Sequence, residues 1–122
     1  MIAYEIEEFA RLLGVEGLEW PVDGVLHLDI EPADTLCLQS APGGLVVSLA
    51  RSQAYPGIPS AARLLELTRF TNSSGPPVHV RRRDFGRTNV FYTVLPEETL
   101  RASALLAALD EMTKLHNLAD SV

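Results

Sequence analysis

Three stretches of alternating apolar and polar residues, joined by connections of a few residues each, limit this chain to a narrow set of folds. Val25-Leu26-His27-Leu28-Asp29-Ile30 puts Leu26, Leu28 and Ile30 on one side of a strand and His27 and Asp29 on the other. Thr35-Leu36-Cys37-Leu38-Gln39 and Leu45-Val46-Val47-Ser48-Leu49-Ala50 repeat the pattern after the turns Pro32-Ala33-Asp34 and Ala41-Pro42-Gly43-Gly44. A parallel connection needs about a dozen residues or more, so the three strands must form an antiparallel meander.

Helical periods flank the meander. Ile2, Ile6, Phe9, Ala10 and Leu13 fall on one helical face, and Gly14 is the expected stop. Asp23-Gly24 marks a turn into the first strand. After the Pro56/Pro59 loop, Ser60 is placed to cap a helix over 61–71. In that helix Leu64, Leu65, Leu67 and Phe70 spread around the axis, which predicts cover from two sides. The breaker cluster Asn72-Ser73-Ser74-Gly75-Pro76-Pro77 precedes a hairpin of 78–83 and 88–94 around Asp84-Phe85-Gly86-Arg87. Pro96, Glu97 and Glu98 suit the first turn of a final helix. Its apolar stripe runs through Leu105, Leu109, Met112, Leu115 and Leu118, widened by Ala102, Leu106 and Ala108. The fold expected is α+β, in the order α-β-β-β-α-β-β-α, a twisted antiparallel sheet packed by helices, as one domain over 1–122.

Sixteen acidic against ten basic residues give a net charge of −6, which opposes binding to nucleic acid or to an anionic membrane. No run approaches the roughly 20 apolar residues that span a bilayer. The N-terminus, Met1 to Glu8, is acidic where a secretory leader would be basic. A lone cysteine, Cys37, excludes an internal disulfide. A cytoplasmic protein is expected.

No pattern of residues builds a catalytic, cofactor or metal site. His27, His79 and His116 lie on separate elements without metal-ligand spacing. His27 and Asp29 share a strand face that reads as solvated, and Cys37 reads as a small apolar filler. Phosphate-binding glycine strings and a G-x-S-x-G elbow are both missing. Glu7/Glu8 and Glu97/Glu98 sit at helix starts, where the helix dipole accounts for them. The sharpest charge feature is Arg81-Arg82-Arg83 with Arg87 nearby. Arg81 and Arg83 share a face with His79, while Arg82 lies opposite with Val78 and Val80. Such a strip guards a sheet edge against aggregation, or it takes an acidic peptide or phospho-ligand in a small regulatory or adaptor module.

The order of elements resembles the class I type III secretion chaperones, the Tir-chaperone family of small acidic proteins. The matching stretches are Ile6 to Gly14, Asp23 to Ile30, Gly44 to Leu49, Ala62 to Asn72, and Val90 to Pro96 opening the last helix. The resemblance implies a bacterial cytoplasmic homodimer without enzymatic activity or cofactor. Its partners would be itself and the N-terminal segment of a secreted effector, held extended and kept ready for secretion. Carried onto this chain, the dimer interface falls on Leu64, Leu67, Phe70, Val78, Val80 and Phe91. Candidate effector-binding residues are Ile2, Ile6, Phe9, Leu13, Leu26, Leu28, Leu36 and Leu38, some of which the core also needs.

Overall fold

The computed structural model describes residues 2–30, 33–53, 59–69 and 75–120. Its elements are α1 (Ile2–Leu12), β1 (Val25–Ile30), β2 (Asp34–Ala41), β3 (Gly44–Ser52), α2 (Ala61–Thr68), β4 (His79–Arg83), β5 (Thr88–Pro96) and α3 (Ala102–Asp120). A 3-10 turn, Glu97–Thr99, separates β5 from α3. The strands form one antiparallel five-stranded sheet in the order β1-β2-β3-β5-β4. This is the α+β arrangement the periodicity predicts.

The register explains how alternation becomes a core. Leu28, Leu36, Leu49, Phe91 and Val80 line up across all five strands on one face. Leu26, Leu38, Val47 and Thr93 form the neighbouring row. The helices cover this face, and Ile6, Phe9, Leu64, Leu67, Leu105 and Met112 join the strand leucines in one buried cluster. The opposite face carries His27, Cys37, Ser48, Tyr92 and His79 in a row, and none of the described helices covers it.

Local signals set the helix ends. At the end of α1 the Val15 N–H donates to the Ala10 carbonyl and the Gly14 N–H to that of Arg11. That is a Schellman motif, with Gly14 at φ +90 in the left-handed position. Ser60 accepts from the Arg63 N–H and caps α2 as expected. Helix α2 stops at Thr68, short of 71; Phe70 and Thr71 lie outside the described residues.

The final helix starts later than Pro96. That proline ends β5 in extended conformation, and α3 begins at Ala102. The Arg101 carbonyl accepts the Leu105 N–H, so Arg101 holds the cap position. Glu5 supplies the missing acceptor, its Oε1 taking the Ala102 N–H at 2.9 Å from α1. A carboxylate borrowed from the far end of the chain thus satisfies a free amide and complements the helix dipole.

Gly44 is required by proximity. A Cβ there would sit well inside contact distance of the Leu95 carbonyl oxygen, because β3 and β5 cross closely at Gly44↔Pro96.

A polar clamp fixes the end of α3. Arg51 donates to Asp34 from Nε (2.6 Å) and Nη2 (2.8 Å), and from Nη1 to Asp120 (2.8 Å) and Asn117 (3.0 Å). Asp34 is only 3% exposed. One guanidinium therefore ties β2, β3 and α3 together.

His116 lies beside this clamp, fully buried, with Nε2 2.8 Å from the Leu49 carbonyl and its ring edge-on to Phe91 at 4.7 Å. The carbonyl can only accept, so Nε2 carries the proton and donates. Nδ1 is buried without a partner among the described residues. Burial holds the imidazole below its ordinary value of 6.5, and the Arg51 charge lowers it further against the opposing pull of the Leu49 hydrogen bond and of Asp34 and Asp120. The folded state therefore favours neutral His116, and the unfolded chain binds the extra proton. The stability it contributes is present above about 6.5 and is lost as pH falls through the lowered folded value. Urea unfolding at pH 7.5 and 5.5 should show a smaller drop for His116→Gln, which keeps a donor for Leu49, than for the wild type. Equal drops would contradict this.

Candidate interaction surfaces

The apolar residues of α1 and β1–β2 divide into two groups. Ile6, Phe9, Leu36 and Leu38 are at most 1% exposed and belong to the core beneath the helices. Periodicity marks them as apolar in either role, and the packing of α1 on α3, and of α3 on the sheet, assigns them to the interior. Ile2, Leu13, Leu26 and Leu28 are half-buried along the margin of that core, next to Leu18, Trp20 and Ile30. Tyr4 and Leu12 stand exposed on α1. A partly exposed apolar margin thus runs along this side, and it includes Ile2, Leu13, Leu26 and Leu28.

The second helix divides in the same way. Leu64 and Leu67 point into the core, as do Val78 and Phe91. Val80 is half-buried, and Phe70 lies outside the described residues. Leu65, 58% exposed, is the side chain that α2 presents outward. The predicted second apolar side of α2 is therefore Leu65 among the described residues.

An apolar groove of about 650 Å³ runs between the segment leading into β4, the end of β5 and α3. Pro76, Pro77, Val94, Ala104, Ala107 and Ala108 line it. The edge of β5 is exposed there. The Glu97 N–H donates to the Gly43 carbonyl, so by alternation Leu95 and Thr93 bond to β3 and Val94 turns its amide outward. The β4 ladder begins only at His79, opposite Tyr92. Next in line stands Pro77, which has no N–H to give the Val94 carbonyl, and its own carbonyl takes the Thr93 hydroxyl at 2.8 Å. Sequence reasoning missed this groove. Its signal was the run of small residues Ala104, Ala107 and Ala108 facing a proline pair, which leaves room where larger side chains would fill it.

The open face of the sheet holds a separate hollow of about 280 Å³ between His27 and Cys37 on one side and Arg81 and Arg83 on the other. Cys37 is half-buried in its wall rather than filling the core, because β2 turns Leu36 and Leu38 inward. Tyr92 lies between His79 (5.3 Å between rings) and Arg81, whose guanidinium carbon is 5.9 Å from the ring centre. Arg82 points to the other face and donates to Asn89. At the hairpin tip Asp84 and Phe85 both take positive φ, and Phe85 is fully exposed.

Among the described residues no group of three or more His, Cys, Asp or Glu could hold a metal ion. No described helix is long and apolar enough to cross a membrane. What the surface offers is apolar margins, a strand edge and a basic hollow.

This arrangement of helices and strands matches solved structures along nearly its whole length. SycH, a Yersinia pestis type III secretion chaperone solved with a stable fragment of YscM2, superposes with a TM-score of 0.73 at 17% identity, over 99% of this chain and 98% of that one. The fold is that of the type III secretion chaperones. A chain of the HopA1–SchA chaperone–effector complex gives 0.69 at 17% identity, covering 96% and 91%. A chain of the heterodimeric ExoU–SpcU complex from the type III secretion system of Pseudomonas aeruginosa gives 0.64 at 20%, covering 93% of each. No family model matches the sequence, and no curated relative matches it. The chaperone fold is therefore carried here by a pattern of burial that few shared residues reveal.

Proposed function

We propose that this protein is a non-enzymatic cytoplasmic chaperone that binds the N-terminal segment of a type III secreted effector as a homodimer. The observation that carries the reading is apolar surface left over after the core is complete. The groove at Val94 pairs a strand edge that no described strand covers with an alanine floor, which suits an extended chain that adds a strand and lays side chains beside it. Ile2, Leu13, Leu26 and Leu28 offer a second margin for the same client. The full-length likeness to chaperones solved with their partners supports this use of the fold. A net charge of −6 keeps such a surface soluble between clients.

The dimer face is assigned to the outer side of α2, centred on Leu65. In the protomer Leu65 touches little, so Leu65→Glu should change protomer stability by no more than about 0.5 kcal/mol. At a dimer centre the same change should raise the dissociation constant by about tenfold or more. Sizing by light scattering at micromolar concentration tests this together with co-expression of secreted-protein N-terminal segments. The expected result is a wild-type dimer that holds one segment in solution and a Leu65→Glu protein that runs as a monomer. A wild-type monomer that solubilises no segment would overturn the reading.

A further inference from the structure

The arginines of this chain are not equally neutralised. Arg11 pairs with Glu8, Arg63 with Glu66, and Arg51 with Asp34 and Asp120. Arg81, Arg83 and Arg87 have no carboxylate within ion-pair distance among the described residues, although the chain has six more acids than bases. Arg81 and Arg83 project from one face of β4, two residues and so roughly 6–7 Å apart. Both line the hollow on the open sheet face. Its floor is apolar at Val46, Ala50 and Val90, and Ser48 and Thr35 add hydroxyls. This is positive potential over a partly greasy floor, in a protein whose overall charge repels anions.

We propose that the open face of the sheet takes an acidic stretch of polypeptide, whose carboxylates at alternate positions meet Arg81 and Arg83 while an apolar side chain rests on Val46 and Tyr92. The inference rests on the client-binding reading and adds a charge preference on the face opposite the helices. Charge complementarity names the occupant. A second copy of this chain, net −6, would bring the same cationic strip to the contact and set arginine against arginine. An extended acidic segment spaces alternate side chains at the pitch of β4 and gives each guanidinium a carboxylate partner. The hollow also has a hydrophobic floor that a bare inorganic anion would leave unused.

The test uses the full chain and a fluorescein-labelled short peptide with glutamate at alternate positions and one central leucine, read by anisotropy. The comparison peptide has lysine for every glutamate. The acidic peptide should bind about tenfold or more tightly than the basic one, and the preference should weaken as salt rises. Arg81→Glu with Arg83→Glu should abolish it. Arg11→Glu with Arg63→Glu, an equal change in net charge at arginines already paired, should leave at least half of the preference. Equal binding of the two peptides, loss of the preference in the Arg11/Arg63 control, or retention of it in the Arg81/Arg83 variant each overturns the proposal. So does displacement of the peptide by millimolar inorganic phosphate at constant ionic strength, which would make the hollow a small-anion site. The two readings fail separately: if the Arg81/Arg83 variant and the wild type solubilise an effector segment equally and neither distinguishes the peptides, only this inference falls. If no segment is solubilised, the chaperone reading falls whatever the peptides do.

Discussion

Arg51→Ala is expected to lower the free energy of unfolding by about 3–5 kcal/mol, because it strands a buried charge. Asp34 lies almost wholly inside the protein, and both of its oxygens are taken by the same guanidinium. Without Arg51 the buried carboxylate loses both donors. Asp34→Ala should cost less, since Arg51 still reaches Asp120 and Asn117 and its side chain touches solvent. The double variant Arg51→Ala/Asp34→Ala should therefore be more stable than Arg51→Ala alone, a reversal that simple loss of contacts would not give. Urea denaturation of the three proteins at neutral pH measures this. A double variant less stable than both singles would show that the clamp holds α3 by attraction and that the stranded carboxylate matters little.

Phe91→Ala should cost about 3–5 kcal/mol, the range for removing a large aromatic from a packed interior. Phe91 is fully buried on β5, flanked by Leu49 and Val80 in register, and meets His116 edge to face. The resemblance alone places this residue in a subunit interface, and the two placements differ in one measurable way. A loss confined to an interface shrinks as the protein is diluted below its dissociation constant. A loss in the protomer core does not depend on concentration. Chemical unfolding over a hundredfold dilution should leave the Phe91→Ala penalty unchanged, and a penalty that fades on dilution would return the residue to the interface.

The contrast between these residues and Leu65 separates what local sequence pattern encodes from what it does not. Alternation in the meander, the Gly14 stop and the Ser60 cap are local, each decided within a few residues, and the structure has each where the sequence puts it. The start of α3 was hidden because its cap comes from Glu5, about a hundred residues away. Pro96 and the Glu97/Glu98 pair imitated a helix start while serving the end of β5 and a 3-10 turn. The surfaces were harder to read than the fold. Leu36 and Leu26 look alike in a string, and only their distance from the sheet edge separates a sealed side chain from an accessible one. The cationic strip was visible, and so was its division between faces. The hollow that gives Arg81 and Arg83 a floor needed the pairing of β4 with β5 and β3, which no local pattern encodes.

The clamp at Arg51 and the cap at Glu5 have a consequence for how the protein is made. Both join early parts of the chain to the last helix, so neither can form until translation is nearly finished. A ribosome releases Leu36, Leu38, Val47 and Leu49 well before Leu105, Leu109 and Met112 exist to shield them. Chains that stall or end before Leu105 would emerge with a bare leucine face and no anchor to close it, and the cell would meet them as substrates for its own folding machinery.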